Sequence, residues 1–119
     1  MVAMKKLNTA GLLAAILCCN VVLAEPGNPP VAGQPLIIDV RTADEYQQAH
    51  IQQAVNIPFD QIADRIAAFA PDHDTYIALY CRSGRRSGIA EQTLRQLGYS
   101  QVENRGSLDD MRRSGYPTN

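Results

Sequence analysis

Thr75-Tyr76-Ile77-Ala78-Leu79-Tyr80-Cys81-Arg82-Ser83-Gly84-Arg85-Arg86-Ser87-Gly88 is the stretch on which the reading of this chain turns. Thr75 to Tyr80 are apolar, aromatic or β-branched, the composition of a buried strand. From Cys81 the composition switches to Gly, Ser and Arg, which marks a tight loop. Beyond it Ala90, Thr93, Leu94 and Leu97 recur at helical spacing, with Gly98 as a C-terminal stop. The unit is strand, loop, helix, and Cys81 stands at the carboxyl end of the strand.

Working outward, the same alternation repeats. Leu36-Ile37-Ile38-Asp39-Val40 reads as a buried parallel strand. Thr42 with Glu45 is a capping-box pair, predicting a short helix to about His50. Ala54-Val55-Asn56-Ile57 is a brief strand closed by Pro58, and Asp60 is the expected cap of a helix whose stripe is Ile62, Ile66 and Phe69, ended by Pro71. Gln101-Val102-Glu103 reads as a last short strand, after which Ser107 caps a small helix through Met111. Strands alternating with amphipathic helices predict one α/β domain over residues 36–119, a mainly parallel sheet flanked by helices. In such sheets ligands sit beyond the carboxyl ends of the strands, where Cys81 is expected.

The N-terminal part is different in kind. Lys5 and Lys6, the apolar run from Ala10 to Cys19 and Val22-Leu23-Ala24 have the three-part form of a secretory signal, cleaved after Ala24. Gly11 and Asn20 leave the run short of the roughly 20 residues a membrane span needs. Residues 25–35 form a Pro/Gly-rich leader. The expectation is a periplasmic protein without stable membrane association once residues 1–24 are removed. Loss of Lys5 and Lys6 leaves nine arginines against 12 acidic residues, a formal charge of −3, which offers no general footprint for nucleic acid. Cys18 and Cys19 leave as well, so the mature domain keeps Cys81 alone in a compartment that favours disulfides.

The loop explains why a lone thiol is kept there. A thiolate before a helix N-terminus is favoured by the helix dipole and by backbone N–H groups. Arg82, Arg85 and Arg86 add positive potential, and Gly84 and Gly88 let the backbone curl into an anion-binding nest. Such a loop suits a nucleophilic sulfur, a charged sulfur group attached to it, and an oxyanion approaching it. The competing reading is a core cysteine that merely ends a strand.

Taken together, Ile38-Asp39-Val40-Arg41, Glu45-Tyr46, His50-Ile51, Ala54-Val55-Asn56-Ile57-Pro58, Cys81 to Ser87 and Leu97-Gly98-Tyr99 with Val102 resemble the rhodanese family, in particular its small periplasmic single-domain members of the phage-shock type. The resemblance spans about Leu36 to Met111. It implies a ping-pong sulfur transfer without metal or organic cofactor, in which Cys81 attacks the outer sulfur of thiosulfate, releases sulfite and carries a persulfide to cyanide or a thiol. Carried over by position, Cys81 is catalytic, and Arg82, Ser83, Gly84, Arg85 and Arg86 form the substrate-binding cradle, with Arg86 at the loop-end arginine position. Gln53 and Ser107 depart from the family, which usually has glycine at both.

Other chemistries fit less well. A Cys-x5-Arg loop of the phosphatase and arsenate reductase kind would need arginine at position 87, where this chain has Ser87. A degenerate, sulfur-binding interaction module would normally lack the cysteine. A thiol–disulfide oxidoreductase would need a Cys-x-x-Cys motif or a resolving cysteine. His50 and His73 are isolated and make no metal site; a capping or packing role is expected for His50 and a solvated loop for His73. Asp39 and Arg41 are expected to pair beneath the loop. The expected state is a monomer.

Overall fold

The computed structural model describes residues 33–119; the predicted signal segment and most of the leader lie outside the described residues. The elements are β1 (Leu36–Asp39), α1 (Ala43–Gln48), β2 (Val55–Asn56), α2 (Ile62–Phe69), β3 (Tyr76–Cys81), α3 (Arg85–Gln96), β4 (Gln101–Ser107) and α4 (Leu108–Arg113). The four strands form one parallel sheet in the order β2-β1-β3-β4. The α/β architecture expected from the sequence is the one observed.

Side chains of β1 and β3 alternate between two buried faces, as the period of a strand demands. Leu36, Ile38, Val40, Ile77, Leu79 and Cys81 enter one core with Ile62 and Ile66 of α2 and Ala90 and Leu94 of α3. Ile37, Ala78 and Tyr80 enter a second core with Ile51 and Met111, and with Tyr46 and Leu108 at its edge. Both faces are covered, which is why these strands read as continuous apolar runs. Truncating a buried residue such as Ile38 to Ala would cost about 2–5 kcal/mol.

The strand order places β2 on one side of β1 and β3 on the other, so the chain changes direction between β1 and β3. A crevice at the carboxyl ends of these two strands is the expected ligand site of such a sheet. Asp39 ends β1 and Cys81 ends β3.

Several local expectations need correction. α1 keeps its Thr42/Glu45 capping box but ends at Gln48; His50 lies beyond it, its ring stacked on Tyr46 at 3.6 Å and its Nδ1 2.7 Å from the Tyr46 carbonyl. Asp60 does not cap α2: the cap position is Gln61, with no side-chain hydrogen bond, because Pro58 starts a turn whose carbonyl accepts from the Gln61 N–H. Leu97 is 42% exposed rather than part of the buried face of α3, since the helix has already ended and the following Tyr99 fills the core instead. β4 runs on to Ser107, past a break in its register with β3 between Leu79 and Cys81. Ser107 has extended backbone and caps α4 with Asp110 as a capping box, so glycine is not needed there. His73 is exposed as expected, although its ring also packs on Tyr99 at 4.5 Å.

Candidate active site

The base of the site is a buried polar cluster. Asp39 and Arg41 pair as expected: Asp39 Oδ2 accepts from Arg41 Nη2 at 2.6 Å, and Oδ1 accepts from Arg41 Nε and from the Arg41 backbone N–H, both at 2.9 Å. Tyr80, fully buried, donates its hydroxyl hydrogen to Asp39 Oδ2 at 2.9 Å and accepts from the Ile51 N–H at 3.0 Å. Burial, and then the Asp39 charge, push the Tyr80 phenol well above its ordinary range, so it stays neutral. Arg41 Nη2 also donates to the Ala49 carbonyl at 2.7 Å. The Asp39 carboxylate at the end of β1 and the Tyr80 hydroxyl of β3, joined by Arg41, thereby lock the ends of the two strands together.

Above this base the chain leaves β3 at Cys81 and turns into α3 at Arg85. Gly84 makes the turn: its φ is +93°, in the left-handed region, and a Cβ there would sit 3.5 Å from the Gly106 Cα. The turn aims donors back at the sulfur. The Gly84 N–H lies 3.0 Å from Cys81 Sγ, and the Ser87 hydroxyl lies 3.4 Å from it. Burial pushes the Cys81 thiol up, but the Ser87 hydroxyl and the backbone N–H groups of Ser87, Ser83 and Gly84 together outweigh it and leave the pKa below the ordinary thiol value. A cysteine that only filled the core would have no such ring of donors.

Asn104 of β4, which the sequence reading passed over, holds this loop from the side. Its Oδ1 lies 2.7 Å from Ser87 Oγ and accepts from the Gly106 N–H at 2.9 Å, while its Nδ2 donates to the Gly84 carbonyl at 3.0 Å. Nothing in the local pattern around Asn104 marks this role, because the residues it ties down, Ser87 and Gly84, lie 17 and 20 positions away in sequence.

The arginines separate into two groups. Arg86 forms a two-toothed ion pair with Glu45 of α1, Nη1 to Oε1 at 2.9 Å and Nη2 to Oε2 at 3.0 Å. The Arg86 hydrogen bond, opposed by partial burial and helped by Thr42, brings the Glu45 carboxyl down to about 2. Arg82 and Arg85 are exposed and make no ion pair among the described residues. Beside the loop an open cleft of about 290 Å³ is lined by Arg41, Glu45, Gln48, Arg82, Leu108 and Asp109.

A buried thiol ringed by N–H donors at the carboxyl edge of a parallel sheet narrows the comparison with known proteins. The rhodanese-like domain family matches residues 24–109. The chain belongs to the rhodanese-like family. It is 44% identical over 82 residues to the thiosulfate sulfurtransferase PspE of Escherichia coli (strain K12), covering 69% of this chain and 79% of that one. It is 39% identical over 83 residues to a sulfurtransferase of Allochromatium vinosum, covering 69% and 76%. A solved structure of a rhodanese with anions from Escherichia coli superposes with a TM-score of 0.67 at 41% identity, covering 71% of this chain and 96% of that one. Of residues 82–86 in this rhodanese-like domain, Ser83 and Gly84 direct backbone donors at the Cys81 sulfur, and Ser87 joins them from just outside the predicted set, while Arg86 turns to Glu45 and Arg82 and Arg85 face solvent.

Proposed function

We propose that this protein is a sulfurtransferase that takes sulfane sulfur from thiosulfate or a related donor onto Cys81 and passes it to cyanide or a thiol. The observation that carries the reading is the convergence of the Gly84 N–H and the Ser87 hydroxyl on Cys81 Sγ, at the N-terminal end of α3. In the first half-reaction the Cys81 thiolate attacks the outer sulfur of thiosulfate. The new S–S bond forms as the old one breaks, and sulfite leaves with the electron pair. The persulfide anion is stabilised by donors of the same kind that favour the thiolate. In the second half-reaction the acceptor attacks the outer sulfur and the Cys81 thiolate leaves. Each step passes sulfur between a nucleophile and a leaving group, so the proposed cycle uses no metal or organic cofactor.

The cradle is assigned to Arg82, Ser83, Gly84, Arg85 and Arg86, with the exposed Arg82 and Arg85 meeting an incoming anion first. Cys81 has no exposed surface, so a donor reaches its sulfur only as the rim of the loop shifts or the Cys81 side chain turns. At the position where a Cys-x5-Arg loop has its arginine stands the buried Ser87, and a phosphate ester is accordingly not the proposed substrate. A monomer is the proposed working unit. Export to the periplasm is proposed from the Lys5-Lys6 and Ala10–Cys19 pattern, and no helix among the described residues is long and apolar enough to cross a membrane.

Thiocyanate formation from thiosulfate and cyanide tests the reading. Wild-type turnover with none in Cys81→Ser, the variant folding normally, is the expected result. Full turnover in that variant contradicts it.

A further inference from the structure

We propose that Glu45 sets the donor preference of the site, acting through Arg86 to disfavour doubly charged sulfur donors relative to singly charged ones. The proposal rests on the sulfurtransferase reading above and assigns a residue that lies outside the cysteine loop.

The sequence marks Glu45 as the third residue of a helix cap and as part of the family likeness, with no role at the site, and it does fill the cap: its Oε1 accepts from the Thr42 N–H at 3.2 Å and from the Thr42 hydroxyl at 3.1 Å. The same carboxylate reaches across to α3 and occupies both terminal nitrogens of Arg86. Its cap contacts fix it in place beforehand, so little ordering entropy opposes the ion pair. Arg86 stands in the first turn of α3, next to Ser87, whose hydroxyl lies 3.4 Å from Cys81 Sγ, so its charge is held beside the sulfur; the Glu45 hydrogen bonds keep it firmly protonated. Of the three loop arginines, the one closest to being buried is therefore already neutralised by a fixed anion. Glu45 also lines the cleft beside Arg82.

A dianion such as thiosulfate gains most from each additional cation in the cradle. To use Arg86 it must displace Glu45 or share the guanidinium with it, at close range to a second negative charge. A monoanionic thiosulfonate carries the same sulfane sulfur and leaves as a sulfinate, yet it needs one cation fewer. Arg82 and Arg85, which make no ion pair among the described residues, suffice for it. Glu45 is a positioning residue and does not touch the reacting atoms.

Glu45→Gln isolates the effect, because glutamine keeps the capping box while removing the charge. Steady-state kinetics with thiosulfate and with the methanethiosulfonate anion, cyanide as acceptor, give the readout. Expected is a fall in KM for thiosulfate of about twofold to fivefold, the range of a partly exposed ion pair, with kcat and the methanethiosulfonate KM little changed. In an Arg86→Gln background the added Glu45→Gln change has no further effect on the thiosulfate KM. A thiosulfate KM that rises or stays level in Glu45→Gln, or that falls equally for both donors, overturns the proposal while leaving sulfur transfer intact. A wild-type protein that turns over neither donor overturns the sulfurtransferase reading and the proposal with it.

Discussion

Ser87 Oγ lies 3.4 Å from Cys81 Sγ, and both residues are completely buried. A hydroxyl has one hydrogen, and Ser87 has three acceptors in reach: Cys81 Sγ, the Gly84 carbonyl at 3.2 Å and Asn104 Oδ1 at 2.7 Å. Ionising the sulfur makes it the strongest of the three acceptors and draws the hydrogen to it. Ser87→Ala therefore raises the Cys81 pKa back toward the ordinary thiol value. The alkylation rate followed against pH will show its rise displaced to higher pH, and sulfur transfer near neutrality will fall because less thiolate is present. A displacement to lower pH would contradict this account.

Gly84→Ala places a side chain on a backbone with φ of +93° and 3.5 Å from the Gly106 Cα. The left-handed conformation costs about 1–2 kcal/mol for a residue with a Cβ. Relief of that strain turns the N–H away from Cys81 Sγ. Denaturant unfolding should show a loss of that order, and turnover should fall by more than the change in folded fraction.

Asp39→Ala leaves Arg41 with an uncompensated charge under the loop and the Tyr80 hydroxyl without its acceptor. Breaking one side of a buried pair costs about 3–5 kcal/mol. Chemical denaturation measures it directly, and an unchanged midpoint would refute the supporting role given to the Asp39–Arg41 pair.

The Glu45–Arg86 pair has a pH signature with a definite sign. The Glu45 carboxyl falls from an ordinary value of 4.5 to about 2 in the folded protein. Its contribution to stability is complete above pH 4.5 and is lost as pH falls from there toward 2. Unfolding midpoints recorded across that interval should decline less steeply in Glu45→Gln than in wild type. Parallel curves would show that the pair contributes nothing to stability.

How far the sequence carried follows from the range of each interaction. The Thr42/Glu45 box, the Ser107 cap, the Asp39–Arg41 pair and the Tyr76–Cys81 strand were all legible, because each depends on residues close together in the chain. β1 and β3 were legible as continuous apolar runs, since both of their faces are buried, whereas the largely exposed β4 was read only from Gln101 to Glu103. Glu45 as the partner of Arg86 was not, because those residues meet across 41 positions. Asn104 escaped notice for the same reason, since it joins β4 to the cysteine loop through contacts set by strand order. Asp60 was read as a cap because aspartate is a strong capping residue, but the turn at Pro58 delayed the helix by one residue.

The central claim is that Cys81 carries the transferred sulfur, and intact mass spectrometry of the protein is its most direct test. Incubation with thiosulfate should add the mass of one sulfur atom, cyanide should then remove it, and Cys81→Ala should show neither change. Absence of the added sulfur in wild type, or its persistence in Cys81→Ala, would contradict the persulfide assigned to Cys81.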